Sequence, residues 1–264
     1  MEELDNSRGR SAWGSFYIYP ANILLNSSKA SAMGLIRPVI SDEELILLVR
    51  DELFTAVIGD IMDKMGLLNQ FLPPQVRPLR DDMMIVGKAM PVLEADMVDN
   101  GGAGNNPVLQ QPFGLMLEAL DDLKTNEVYI CSGASPSYAL WGELMSARAC
   151  KLGAAGAVVN GYSRDTKGIL GMNFPVFSYG SYAKDQAPRG KVVDFRVPVE
   201  IAGVQVRPGD FVVGDGDGVC IVPLEASAEV FEKAFEKARG ERVVYKKIID
   251  GMPAKAAFDT YGIM

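Results

Sequence analysis

The 264-residue chain contains no histidine. That absence excludes a Ser-His-Asp triad, a Cys-His pair, His-ligated zinc and an imidazole pH switch. Acid–base or metal chemistry is left to carboxylates, Lys, Arg, Tyr, Cys, backbone and water. Cysteine is scarce as well: Cys131, Cys150 and Cys220 are odd in number, far apart and without a C-x-x-C pair. A zinc knuckle is thereby excluded, and a reduced, intracellular protein is expected, its cysteines packed rather than reactive. No apolar run approaches the roughly 18 residues of a membrane span. The opening Met1-Glu2-Glu3-Leu4-Asp5 is acidic, unlike a secretory signal, so the expectation is a cytoplasmic protein. Positive charge is short too: 26 Lys+Arg face 34 Asp+Glu, a net charge of −8. Nucleic acid is therefore not an expected partner. There is no G-x-x-x-x-G-K-[ST] and no convincing G-x-G-x-x-G between a strand and a helix, so nucleotide binding has no support.

What is present suits one α/β core behind an extension. Residues 1–38 scatter Ser, Asn and Gly around an aromatic stretch from Trp13 to Tyr19. They read either as a partly ordered arm or as an arm that packs on a neighbouring subunit. The catalytic α/β domain is placed at 39–264. Ser41 with Glu44 forms a capping box, and Leu45, Leu48 and Val49 follow at helical spacing. A second helix follows Thr55, with Val57, Ile58, Ile61, Met62 and Met65 inward, Gly66 as its stop, and Asp60 and Asp63 on a solvated edge. Met84–Val92 reads as a strand, 99–112 as a Gly/Asn/Pro-rich loop, 114–124 as a helix and 127–131 as a strand. Ala139–Leu152 reads as a helix with Leu140, Leu144, Ala147 and Cys150 inward. Strands at 157–159 and 175–178 complete a helix–strand alternation. Four closely spaced strands between Val192 and Val222 suggest a β-meander or a small barrel face, and 224–249 reads as one long helix.

Two segments carry the candidate chemistry, one at a helix start and one after the strand that follows it. Gly142-Glu143 and Gly161-Tyr162-Ser163-Arg164-Asp165 are spaced so that both are expected at one edge of the sheet, where α/β proteins bind ligands. Two carboxylates suit Mg²⁺ or Mn²⁺. A guanidinium can clamp a substrate carboxylate, and first-turn amides can bind an anion. A surface salt bridge is the plain alternative. The acidic, Gly-rich Gly214-Asp215-Gly216-Asp217-Gly218 lacks a calcium-loop frame and reads as a turn. No lysine among Lys88, Lys151 and Lys167 is marked as a Schiff base.

From Gly142-Glu143-Leu144-Met145, through Gly153-x-x-Gly156, to Asn160-Gly161-Tyr162-Ser163-Arg164-Asp165, the chain resembles the regulator of ribonuclease activity A family. Within it, the likeness is to the class II pyruvate aldolase branch, the 4-hydroxy-4-methyl-2-oxoglutarate / 4-carboxy-4-hydroxy-2-oxoadipate aldolases. Thr55-x-x-x-x-Asp60, Pro175-Val176-Phe177, Val197-Pro198-Val199, Pro208-Gly209-Asp210 and Asp215-x-Asp217-Gly218-Val219 extend the resemblance over roughly residues 40–250. It implies a β/β/α sandwich of the swivelling-domain type, ending in a long C-terminal helix and assembled as a homotrimer or homohexamer with sites between subunits. It also implies a divalent metal, Mg²⁺ or Mn²⁺. By position, Asp165 is the implied metal ligand and Glu143 holds the metal directly or through water. Arg164 binds the 2-oxo acid and its enolate, and the amides of Gly142, Glu143, Leu144 and Met145 take the substrate carboxylate. Glu241 is the implied acidic residue from a neighbouring subunit's long helix. The chain departs from the family in carrying Glu143 where Asp is usual and Asn126-Glu127 for Gly-Asp, and its 99–112 loop is longer.

The implied reaction is retro-aldol cleavage of a small 4-hydroxy-2-oxo acid to release pyruvate, with oxaloacetate decarboxylation as a side activity. Two rivals stand beside it: a non-catalytic regulator that binds a ribonuclease, and a related decarboxylase or lyase acting on another 2-oxo acid.

Overall fold

The computed structural model describes residues 41–97 and 105–263. The predicted extension, 1–38, and residues 98–104, which include the first part of the Gly/Asn loop, lie outside them.

Helix α1 (Asp42–Glu52) opens on Asp42, Glu43 and Glu44 and has Arg50 in its last turn, the charge order its dipole favours. Ile46 and Val49 are its buried residues, and Leu45 and Leu48 are half-buried. Helix α2 (Thr55–Lys64) buries Val57, Ile58, Ile61 and Met62, while Asp60 and Asp63 are exposed, as the spacing predicts. Its start is anchored from afar: the Thr55 N–H and hydroxyl each donate to the Asp215 carboxylate, both at 2.8 Å. The acidic, Gly-rich turn thus serves as a remote helix cap.

The sheet is organised around one long strand, β2 (Ile85–Asp96). One edge of β2 runs parallel to β3 (Glu127–Ser132), followed by β5 (Gly156–Val159) and β7 (Val176–Ser178), also parallel. The other edge takes two antiparallel partners in succession. β11 (Phe211–Asp215) lies along 85–88, and β8 (Gly190–Phe195) lies along 92–96. β12 (Gly218–Val222) pairs with β11. Residues 70–78 then nearly close the sheet. Leu72 N–H donates to the Val219 carbonyl (2.9 Å) and Ile221 N–H to Gln70 (2.8 Å), while β1 (Arg77–Pro78) pairs with β7.

This pairing corrects the expected meander. β8 joins β2, and β9 (Val199–Ile201) with β10 (Val204–Val206) form a separate hairpin. A strand of 12 residues is long enough to serve two neighbours on one edge, and nothing in local periodicity reports that.

The core has three parts. Ile85, Val128, Ile130 and Phe177 pack with Ile201 and Val204 of the hairpin. On a second face lie α1, α2 and the long C-terminal helix α6 (Ser227–Ile249), whose Val230, Phe231, Ala234 and Ala238 are buried. The third part holds Met116, Ala119 and Leu120 of α3 (Met116–Asp121), together with Trp141 and Ala149. The fold is the mixed α/β architecture expected, a nearly closed sheet with a long C-terminal helix.

Candidate active site

The predicted helix over 139–152 divides in two. Ala139–Trp141 is a strand, β4, and the helix α4 is Glu143–Lys151. Gly142 between them is extended, at φ −153° and ψ −176°. The inward face of α4 is also not the predicted one. Ser146 and Ala149 are buried, whereas Leu144 is 85% exposed and Ala147 and Cys150 are exposed. Ser146 is held inward by polar bonds, accepting from the Trp141 indole N–H (2.7 Å) and donating to the Gly142 carbonyl (3.1 Å). A hydrophobic-face reading could not anticipate a serine chosen over a leucine.

β4 runs parallel to a second short strand, β6 (Tyr162–Ser163), and the Arg164 N–H donates to the Trp141 carbonyl at 2.8 Å. β6 also feeds a helix, α5 (Thr166–Gly171). The two junctions, Gly142-Glu143 and Arg164-Asp165, therefore lie side by side, as their spacing predicts.

The Glu143 N–H donates to Asp165 Oδ2 at 3.3 Å, and Arg164 Nε lies 3.7 Å from the same oxygen. Asp165 sits in the left-handed region, at φ 60° and ψ 35°, a conformation that Asp tolerates better than most residues. Two glycines make room for the acids. A Cβ on Gly142 would stand 2.8 Å from Asp165 Oδ2, and one on Gly168 would stand 2.1 Å from the Glu143 carboxyl carbon. Because φ at Gly142 suits any residue, Gly142→Ala is expected to leave the melting temperature within a few degrees of the parent. It displaces the Asp165 carboxylate, so turnover should fall about tenfold or more; thermal melts beside initial rates check both halves.

A cavity of about 450 Å³ opens here, with Arg164, Asp165, Gly142 and Met145 among its lining. Asp185 and Gln186 also line it, and no sequence motif marked them. Asp185 bonds Arg164 Nη1 at 2.8 Å. The segment after β7 brings them there, with Tyr182 N–H donating to Ser163 (2.8 Å) and Ala139 N–H to Lys184 (2.8 Å). The N–H groups of Glu143, Leu144 and Met145 form the first turn of α4 and lack intrahelical acceptors. Glu241 is not in this lining; on α6 it bonds Lys237, which also pairs with Asp60 at 2.9 Å.

Behind Gln186 lies a buried carboxyl. Gln186 Nε2 donates to Glu94 Oε2 at 2.9 Å, and Glu94 Oε1 and the Tyr129 hydroxyl are buried with no partner for either atom among the described residues. Burial pushes the Glu94 carboxyl up to about 8; a hydrogen bond from Cys131 opposes the rise and the Asp96 charge adds to it. Asp96 moves the other way. Burial would raise it, but bonds from Tyr138 and Ser135 hold it below the usual range.

Among the described residues no group of three or more Cys, Asp or Glu side chains is arranged to hold a metal ion. Glu143 and Asp165 do share an open recess of about 500 Å³ with Thr166, Lys167 and Gly168. One or two carboxylates, with water and substrate filling the remaining positions, is the donor set Mg²⁺ accepts. Gly142 and Gly168 let the two carboxylates sit close against the backbone, and their open side faces this recess, a donor set that fits such an ion.

Among the described residues no helix is long and apolar enough to cross a membrane. Residues 55–221 match the RraA-like family, described as Aldolase/RraA. A protein of Halalkalibacterium halodurans, provisionally named a 4-hydroxy-4-methyl-2-oxoglutarate aldolase, is 30% identical over 205 residues, 77% of this chain and 89% of that protein. An uncharacterized protein from Pseudomonas syringae pv. tomato shares the fold at a TM-score of 0.72 with 24% identity, covering 86% of this chain and 98% of the other. Streptomyces coelicolor RraAS2, described as an unusual member of the RNase ES inhibitor RraA protein family, aligns at a TM-score of 0.68 with 20% identity, covering 79% and 100%. A match over residues 55–221, spanning both strand-to-helix junctions, places this chain in the RraA-like Aldolase/RraA family.

Proposed function

We propose that the protein is a divalent-metal-dependent lyase that cleaves a 4-hydroxy-2-oxo acid by a retro-aldol reaction and releases pyruvate. The supporting observation is the meeting of Glu143, Arg164 and Asp165 at adjacent strand-to-helix junctions, with the Glu143 N–H on Asp165 at 3.3 Å. The 30% identity to a relative provisionally named as an aldolase supports the same reading.

In this proposal Asp165 and Glu143 hold Mg²⁺ or Mn²⁺, which when bound supplies Lewis-acid polarisation of the 2-oxo acid. The first-turn amides of Leu144 and Met145 and the N-terminal dipole of α4 take the substrate carboxylate, the Glu143 N–H being held by Asp165. Arg164, steadied by Asp185, faces the keto oxygen. The C4 hydroxyl proton passes to a water held by Glu143, and the bond between C3 and C4 breaks. Its electron pair moves onto C3 and the keto oxygen as an enolate, and C4 becomes a carbonyl. Arg164 stabilises the enolate charge, and protonation at C3 gives pyruvate. Glu241, presented by the long helix of a neighbouring copy in a trimer or hexamer, is the second carboxylate for moving protons. Oxaloacetate decarboxylation yields the same enolate and is the expected side activity.

The test couples pyruvate release to NADH oxidation, using 4-hydroxy-2-oxo acids or oxaloacetate with added Mg²⁺ or Mn²⁺. EDTA should lower the rate to background, and excess Mn²⁺ should restore it. Full activity in EDTA rejects the metal, and turnover of some other 2-oxo acid alone makes the protein a related decarboxylase or lyase. Capture of a ribonuclease without turnover of any 2-oxo acid would make it a binding regulator. The paired carboxylates at the junctions favour the enzyme, because a pure binder has no need of them.

A further inference from the structure

We infer that Glu94 is a positioning residue for Arg164, acting from inside the sheet through Gln186 and Asp185. The inference rests on the lyase reading of the same site and adds to it a group that touches neither substrate nor metal. The Arg164 and Asp185 side chains, bonded at 2.8 Å, are 39% and 45% exposed. An ion pair that open to water is worth about 1 kcal/mol or less. It does not by itself hold a guanidinium in one place, so the backbone that carries Asp185 has to be fixed. The next residue fixes it. Gln186 is buried, and its Nε2 donates to Glu94 Oε2 at 2.9 Å. The Gln186 carbonyl takes the N–H groups of Arg189 (2.7 Å) and Gly190 (3.0 Å), which closes the turn leading into β8.

Burial alone does not account for a carboxyl at position 94. The side chain is sealed from water, and its Oε1 has no partner among the described residues. The titratable groups that act on it are Cys131 and Asp96, with Tyr129 and Tyr138 also in range, and none of them is a cation. A leucine here would bury no unpaired oxygen, which is costly to the fold. What a leucine cannot supply is an acceptor for Gln186. Without that acceptor the amide turns to water in the cavity, which Gln186 lines. Asp185 then loses its fixed seat beside Arg164.

The experiment compares Glu94→Gln, Glu94→Leu and Gln186→Met with the parent at about pH 7. Glu94→Gln keeps the acceptor and is expected to keep the parent kcat for pyruvate release. Glu94→Leu and Gln186→Met cut the link from the sheet side and from the cavity side, and kcat should fall about tenfold in both. KM should move little, because the Leu144 and Met145 amides still hold the substrate carboxylate. The double variant should lose no more than either single one, the mark of residues that act as a unit. Melting temperatures near the parent's show that the losses are not losses of fold, and Gln186→Met decides the matter if Glu94→Leu does not fold. Hydrogen exchange reads the same link without turnover. The Arg189 and Gly190 amides should exchange severalfold faster in Glu94→Leu and Gln186→Met but not in Glu94→Gln, with the β3 amides unchanged. Parent kcat in a folded Glu94→Leu or in Gln186→Met, or equal losses in Glu94→Gln and Glu94→Leu, overturns the inference and leaves the lyase standing. Absence of pyruvate from every substrate, oxaloacetate included, overturns the lyase, and the exchange rates then decide alone whether Glu94 braces this segment.

Discussion

Replacing Asp165 with Asn is expected to lower turnover by about 100-fold or more while leaving the fold intact. The choice of Asn is dictated by the backbone. At φ 60° an Ala would add strain of order 1 kcal/mol or more, and its failure would mix lost chemistry with lost structure. Asn tolerates this conformation and can still accept the Glu143 N–H, so what disappears is the charge. Arg164 gives the matching result from the other side. Its guanidinium faces Asp165 at 3.7 Å and bonds Asp185 at 2.8 Å, a geometry that uses separate nitrogens of a planar fork. Arg164→Lys keeps the charge and loses the fork, so it too is expected to lose about 100-fold. Asp185→Asn should lose less, near tenfold, because Asp185 steadies Arg164 rather than meeting the reacting atoms. Single-turnover rates beside melting temperatures separate the three. Near-parent activity in Asp165→Asn would remove this carboxylate from the chemistry.

The meeting of these segments was legible because it is a property of chain order: a helix start at Gly142-Glu143, a helix, a strand, then Arg164-Asp165. The helices were legible where the apolar stripe is long, as in α2 and α6. Four features were not. Ala139–Trp141 is an apolar run beside a helix, and only its pairing with Tyr162–Ser163 makes it a strand. The phase of α4 turns on Trp141 bonding Ser146, a contact between side chains rather than a pattern of hydrophobicity. Asp185 enters the cavity because a segment after β7 docks along β6 through backbone hydrogen bonds, which any sequence can make. The apolar residues that α3 adds to the cavity lining were hidden for a related reason. Met116 and Leu120 pack against the core while Leu117 is turned outward to the cavity, and a short helix of 6 residues carries too little periodicity to assign either face.

Stability is expected to fall as pH rises from about 5 to about 8, and Glu94 is the reason. Its carboxyl is buried with one oxygen unpartnered among the described residues, and its pKa is raised from 4.5 to about 8. Below about pH 4.5 the folded and unfolded chains both hold the proton and the term is constant. Between the two values the unfolded chain releases it while the folded chain keeps it. Folding then takes up a proton, and stability declines by about 1.4 kcal/mol per pH unit, on the order of 5 kcal/mol in all. Above about pH 8 both states are ionised and the decline stops. Asp96 and Asp122, both held below the usual carboxylate range, act with the opposite sign, losing their contribution as pH falls below about 4, so the two windows do not overlap. The thiol of Cys131 and the hydroxyl of Tyr129 are raised from already high values and stay protonated throughout. Glu94→Gln isolates the effect, since an amide has the shape of the neutral acid and can still accept from Gln186. Chemical denaturation is expected to find the variant close to the parent at about pH 5, and more stable than it by several kcal/mol at about pH 8 to 9. Parent and variant curves that run parallel across this range would mean that water reaches the unpartnered Glu94 oxygen and that the carboxyl ionises normally inside the fold.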